Sequence, residues 1–475
     1  MGLISSVRWV ALSQAVRVAA QLVSMAVLAR LLPPASYGLM AMAMTVTNLA
    51  FLFRDLGTSA AIIQRQHLSE ALTCTLYWLH IAFALALALL LTALAWPVAR
   101  AYGQEQLGPI ITALAWTFPI SSLGAVQRAL LERASQFRQL ARIEAVSAGG
   151  GLLAALLVAS HGGGVWSLVW QMLCAAALTS LQACLASPWR PRARWAPREL
   201  RAVFGFSADF SLFQLLVYLE RNADSMIIGK LLGSAALGVY AMAYKVMLFP
   251  LQNITGVATR ALLPAMSRGQ DDPRRLGELY LRATQTIAIV TAPLMAGLFF
   301  LREPFVLLVF GPRWLAVADL LQWLAVVGLL QSITDSTGAV FLALGKTRML
   351  LGLGLLGATL QVSAFVVGVR WGIEGVAAAY CAANAINLVP ALLLALKLLH
   401  IAPGRAARTL GKPLAAAGFM LLLLWAMQGA LAASRVPHAS WFWLSVGGGA
   451  LAYAFALLVL LRQDMSDMRA LLRFG

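Results

Sequence analysis

Charge is scarce in this chain of 475 residues: Asp, Glu, Lys and Arg together make up 11% of it, and the 18 acidic residues are outnumbered by 36 basic ones. The four cysteines, Cys74, Cys174, Cys184 and Cys381, each sit inside an apolar run without ligand spacing. Buried inert thiols are therefore expected, with no disulfide framework and no metal centre. No polar stretch is long enough to fold as a soluble catalytic domain. Ser-His-Asp, HExxH and paired-carboxylate arrangements are missing outside apolar sequence, and His80 lies in an apolar run where packing is the default. Leu344-Gly345-Lys346-Thr347 looks like the end of a phosphate-binding loop, but the leading glycine of that motif falls on Val340. The chain therefore reads as a non-enzyme that needs no cofactor.

Hydrophobic residues are abundant, at 61% of the chain, and the mean hydropathy is +0.81. Apolar runs near the length of a membrane crossing recur from end to end. Their spacing predicts spans at 7–31, 36–53, 73–95, 107–127, 143–160, 164–186, 204–228, 234–259, 283–301, 316–341, 349–369, 375–396, 413–432 and 441–461. Backbone groups cannot stay unsatisfied in lipid and no alternating barrel pattern appears, so the spans are expected to be helices. The first is too long for a cleavable signal and holds Arg17 in its middle, which makes it an anchor. A net charge of +18 would suit nucleic acid if it were clustered, but it is not. With both termini cytoplasmic, 26 basic residues fall in inside segments and seven in outside ones. That bias is topology, and it excludes a nucleic-acid partner.

The chain also repeats itself. Leu31-Leu32-x-x-Ala35-x-x-Gly38-x-x-Ala41-Met42-Ala43 recurs as Leu231-Leu232-x-x-Ala235-x-x-Gly238-x-x-Ala241-Met242-Ala243, with Arg30 answered by Lys230. Six spans separate the copies, so both enter the membrane in the same direction. The repeat predicts an all-α membrane protein of about fourteen helices, with two six-helix lobes related by a pseudo-two-fold axis along the membrane normal. The lobes are expected at 1–203 and 204–400, with two further helices in 401–475. Pro188 to Arg201 joins them as a basic cytoplasmic linker, expected as an interfacial helix with Trp189 and Trp195 at headgroup depth.

Polar residues inside the spans mark where function would sit. Gln14, Arg17, Gln21 and Ser24 share one face of the first span. Ser207, Ser211, Gln214, Tyr218, Arg221 and Ser225 share one face of the seventh. Two facing lobes would bring these stripes to a cationic cavity. Tyr240, Tyr244 and Lys245 on the eighth span and Arg54 at the end of the second are further substrate-binding candidates, the tyrosines suiting sugar rings. Glu220 and Asp224 lie close enough to Arg221 to give it a structural role instead. Gln331, Thr334 and Asp335 form another polar cluster on the tenth span, and Asp224 and Asp335 are candidates for a coupling cation, with helix packing as the other reading.

Several segments resemble a known family. They are Leu28-Ala-Arg-Leu-Leu-Pro-Pro-Ala-Ser-Tyr-Gly38, Phe53-Arg-Asp-Leu-Gly-Thr-Ser-Ala-Ala-Ile-Ile-Gln64, Asp224-Ser-Met-Ile-Ile-Gly-Lys-Leu-Leu-Gly233, Leu263-Pro264 with Gln270-Asp-Asp272, and Phe310-Gly-Pro-Arg-Trp314. The chain is similar to bacterial polysaccharide transport proteins, the O-antigen and colanic-acid type flippases of the multidrug/oligosaccharidyl-lipid/polysaccharide exporter superfamily. That resemblance implies a multi-pass protein of the bacterial inner membrane that moves an undecaprenyl-diphosphate-linked oligosaccharide between leaflets. The implied partners are that lipid-linked glycan, membrane lipids, and a polysaccharide polymerase with chain-length or export proteins. A lipid II flippase is the nearest rival. A multidrug exporter would favour acidic cavity walls, whereas both stripes here carry arginine.

Overall fold

The computed structural model describes residues 3–54, 62, 69–194, 208–255, 266, 272–432 and 438–461; those at 3–13, 52–54, 208–217, 254–255, 273, 429–432 and 438–439 are described by backbone alone. Among the described residues, eleven helical stretches are long and apolar enough to cross a membrane. Two of them are long enough for two crossings each, at 218–253 around the break at Gly233 and at Thr347–Leu398. With Pro34–Arg54 added, the count is fourteen. The chain is a multi-pass, all-helical membrane protein, as its apolar runs predict.

Local chemistry accounts for the element boundaries. The first span, Leu3–Leu31, ends at Pro33, and the second begins at Pro34, where a proline costs a helix no hydrogen bond. The seventh and eighth spans lie in Ala208–Pro250, broken at Gly233 (φ 83°, ψ −178°), a backbone conformation that only glycine adopts readily. The ninth span, Pro273–Phe300, starts as its Asp-Asp-Pro sequence predicts. The Asp272 carboxylate accepts from the Arg274 and Arg275 amides at 3.0 and 3.2 Å, and Pro273 opens the helix.

The chain divides into two compact units, Met1–Gly238 and Val239–Gly475. In the first, the helix pairs Leu3–Leu31 with Phe137–Ser160, and Phe137–Ser160 with Trp166–Ala186, lie side by side. Polar side chains tie distant helices together: Gln171 donates to the Ser24 hydroxyl at 2.7 Å, and Ser180 donates to the Ile120 carbonyl at 2.7 Å. The linker differs from expectation. Residues 187–194 are not helical but dock on the start of the third span, Glu70–Tyr102. Trp189 packs edge-on against Tyr77, with ring centres 5.6 Å apart, and joins the apolar cluster around Leu72 and Leu76. Arg192 and Arg194 both reach Glu70, and the Trp78 indole donates to the Arg192 carbonyl. Aromatic burial therefore holds Trp189 against protein, while Trp195 lies outside the described residues.

In the second unit, the ninth and tenth spans (the latter Ala316–Ala343) are joined by three buried hydroxyl pairs: Tyr280 with Thr337 at 3.0 Å, Thr284 with Ser336 at 3.0 Å, and Thr291 with Ser332 at 3.1 Å. In a hydrocarbon surround such pairs add to packing because neither partner has water to turn to. Phe310-Gly-Pro-Arg-Trp314 forms an aromatic corner, with Phe310 and Trp314 buried and Gly311 at φ 89°. This motif of the resemblance therefore carries packing.

Candidate functional site

Each unit presents its own polar surface on apolar helices. In the first, Gln14, Arg17 and Gln21 are all exposed, as are Ala15, Val16, Ala19, Leu22 and Val23 around them. The Arg17 guanidinium donates to the Gln14 side-chain oxygen one turn earlier, which aligns the two as a single polar patch. Ser24, the last member of that face, is committed to Gln171. A permanent charge exposed on a helix otherwise fit to cross a membrane is costly unless water or an anion meets it.

The seventh span divides differently. Tyr218 is buried and donates to the Thr45 carbonyl at 2.6 Å, so its hydroxyl is spent on joining the seventh span to the second. Asp224 is also buried, and its carboxylate accepts from the Ser225 amide. Arg221 remains exposed, with no ion pair to a described residue within 4.0 Å, and Glu220 beside it is half-buried. The side chains of Arg54 and Gln214 lie outside the described residues.

In the second unit, Tyr240 is buried and stacks on Tyr244 (ring centres 6.0 Å, 17° between planes). Tyr244 is half-exposed and in turn faces Tyr380 at 6.3 Å, and Tyr380 packs on Phe365 at 5.2 Å. Gln331 completes the group, its amide nitrogen 2.7 Å from the Tyr380 hydroxyl and 3.4 Å from the Asn384 side-chain oxygen. Lys245 and Asp335 are exposed beside this group in sequence, next to Tyr244 and one turn beyond Gln331. Sequence reasoning singled out Gln331 but missed Tyr380 and Asn384. Their signal was the spacing Tyr380, Asn384, Asn387 on the twelfth span, Gly372–Leu398, which places all three on one face. Among the described residues, no group of three His, Cys, Asp or Glu side chains is arranged to hold a metal ion.

Comparisons with known proteins supply a family and a fold. The family described as "Polysaccharide biosynthesis protein" matches residues 27–319. The "Lipopolysaccharide biosynthesis protein WzxC" of Escherichia coli (strain K12) is 27% identical over 395 residues, covering 81% of this chain and 79% of that protein. The "Succinoglycan biosynthesis transport protein ExoT" of Rhizobium meliloti (strain 1021) is 27% identical over 309 residues, 65% of this chain and 63% of that one. The fold is that of the lipid II flippase MurJ in an inward closed conformation, with a TM-score of 0.76 at 13% identity, covering 97% of this chain and 100% of that one. It is also that of an inward-facing multidrug resistance transporter, with a TM-score of 0.63 at 17% identity over 83% of this chain and 98% of that one. The family match spans more than half of the sequence, and the chain belongs to the polysaccharide biosynthesis protein family.

Proposed function

We propose that this protein is a flippase that carries undecaprenyl-diphosphate-linked oligosaccharide repeat units from the inner to the outer leaflet of the bacterial inner membrane, for assembly of a surface polysaccharide. The observation that carries the reading is Arg17, exposed on an apolar helix and aligned by Gln14. A diphosphate loses hydration on leaving water, and a guanidinium offsets that loss through charge-assisted, two-pronged hydrogen bonds. Arg221 is proposed to act on the same headgroup. Arg54, Gln14, Gln21 and Gln214 would supply further polar contacts, and the tyrosine group would face the sugars. Tyr218, already bonded to Thr45, would position the seventh span. Asp224 and Asp335 are the proposed sites of a coupling cation.

Transport is proposed to expose the polar stripes alternately to the two sides of the membrane, while the polyprenyl tail stays in lipid. Both termini and the basic linker would be cytoplasmic. A polymerase that consumes the flipped repeat unit would be the natural partner.

The test is to purify the protein into liposomes containing a fluorescent polyprenyl-diphosphate glycan and follow its passage between leaflets. Passage that needs the protein and fails with Arg17→Ala supports the reading. Passage of lipid II at equal or greater rate would favour a role in cell-wall synthesis. No passage of either lipid would overturn the flippase assignment.

A further inference from the structure

The tyrosine and amide group of the second unit has a feature that packing alone does not require. The Gln331 amide nitrogen serves both Tyr380 (2.7 Å) and Asn384 (3.4 Å), while Asn384 anchors itself by donating to the Tyr380 carbonyl at 2.8 Å. Tyr380 and Asn384 are almost fully buried at 3% and 7% exposure, so they hold Gln331 from behind. The Gln331 carbonyl oxygen, by contrast, takes no hydrogen bond from a described residue, and its side chain is only half-buried. An amide held by its nitrogen end presents its oxygen as a fixed acceptor. Tyr380 links Gln331 to the partly exposed ring of Tyr244: its hydroxyl meets the Gln331 amide, and its ring faces Tyr244 at 6.3 Å, while Tyr244 also stacks on the buried Tyr240.

An aromatic ring and an oriented acceptor held by one buried tyrosine are the groups that recognise a sugar ring: the C–H face stacks on the ring, and a hydroxyl or N-acetyl N–H donates to the oxygen. The arrangement is also one-sided. The weaker echoes of the sequence repeat pair Ala129 with Ala343 and Gly164 with Gly375, and at those offsets Gln331, Tyr380 and Asn384 correspond to Thr117, Val169 and Leu173 of the first unit. Nothing there could build the same group.

We infer that Gln331 and Tyr244 form a glycan-recognition subsite that reads a sugar of the lipid-linked glycan, with Tyr380 and Asn384 as positioning residues. This inference rests on the flippase reading and adds to it that sugar selectivity resides in the second unit.

The experiment compares binding of two probes to the purified full chain: a polyprenyl diphosphate bearing one N-acetylated sugar, and the same diphosphate without sugar. Wild-type protein is expected to bind the sugar-bearing probe more tightly. Gln331→Met and Tyr244→Ala should weaken that probe by about tenfold, the scale of one lost uncharged hydrogen bond, and leave the bare diphosphate unchanged. Gln331→Asn keeps the amide on a shorter stem and guards against a folding defect; it should fall between wild type and Gln331→Met. Tyr380→Phe removes the phenol that anchors Gln331 and should narrow the preference for the sugar-bearing probe without affecting the bare one. Equal weakening of both probes by Gln331→Met, or full retention of sugar preference in both Gln331→Met and Tyr244→Ala, would overturn the subsite. Failure of wild-type protein to bind either probe would instead overturn the flippase reading itself.

Discussion

Gly38 and Gly238 hold the same place in the two copies of the repeat, and they meet: a Cβ on Gly238 would stand 3.0 Å from the Gly38 amide nitrogen. The contact is reciprocal. A side chain on Gly38 would overlap the Ser234 carbonyl, and one on Gly238 would overlap the Pro34 carbonyl. Four-residue spacing puts each pair, 34 with 38 and 234 with 238, on one helix face, so the two helix starts cross backbone to backbone. Gly38→Val should therefore force the crossing apart, at a cost of about 1–3 kcal/mol. A lowered melting temperature in detergent checks this, and an unchanged one would mean that the crossing yields without strain.

The same crossing predicts a lock. Ala35 and Ala235 flank it, so cysteines at these positions, in a background lacking the four native ones, should crosslink across the repeat. If transport needs the crossing to open, the locked protein should not export polysaccharide and reduction should restore export. Normal export by the locked protein would show that the crossing is a static joint.

Arg17 and Arg221 call for separate expectations. Arg17→Ala should abolish export at normal membrane abundance, and Arg17→Lys should restore only part of it, because a point charge cannot form the fork that grips a diphosphate. Wild-type export by Arg17→Ala would remove it from the mechanism. For Arg221, loss of protein from the membrane rather than of transport would assign it a structural role beside Glu220.

Orientation follows from the basic residues. Single cysteines near Gly162 and Ala433 should react with an impermeant thiol reagent in intact cells, and one at Arg194 should not. Labelling at position 194 would invert the topology.

The hydroxyl ladder of the second unit makes a stability prediction. A double-mutant cycle on Thr291→Val and Ser332→Ala should give a coupling of about 0.6 kcal/mol in thermal or denaturant unfolding, the scale found for interhelical hydrogen bonds in membranes. A coupling near zero would mean that both hydroxyls are satisfied within their own helices, where they also reach the Ile287 and Leu329 carbonyls.

The span count and the helix start at Asp272 were legible in the sequence because both rest on local rules: apolar run length and capping chemistry. The pairing of Gln14 with Arg17 was legible for the same reason, being a matter of periodicity. Ser24 shared that periodicity, but its partner Gln171 lies 147 residues away, and spacing along one helix carries no information about the next. Tyr218 shows the limit again. An intramembrane tyrosine on a polar stripe reads equally as a cavity residue or as a strut, and only the 2.6 Å bond to the Thr45 carbonyl distinguishes them. Tyr380 and Asn384 passed unnoticed because isolated polar residues among alanines look like packing until a partner such as Gln331 appears.

The break at Gly233 sets a limit on how alike the two halves are. In the first copy the helices part at Pro33, whose ring fixes φ near about −65°; in the second they part at Gly233 with φ at 83°. The flanking sequence keeps the Leu-Leu, Ala, Gly and Ala-Met-Ala positions, yet the second joint uses a backbone conformation that proline cannot adopt. Copying residues 31–43 over 231–243 would change six of the thirteen residues, and one of those changes would place a proline where the chain must turn through positive φ. The two copies are therefore not freely interchangeable: the second cannot accept the first copy's proline at its turn, whereas a glycine in the first could still adopt the proline's φ.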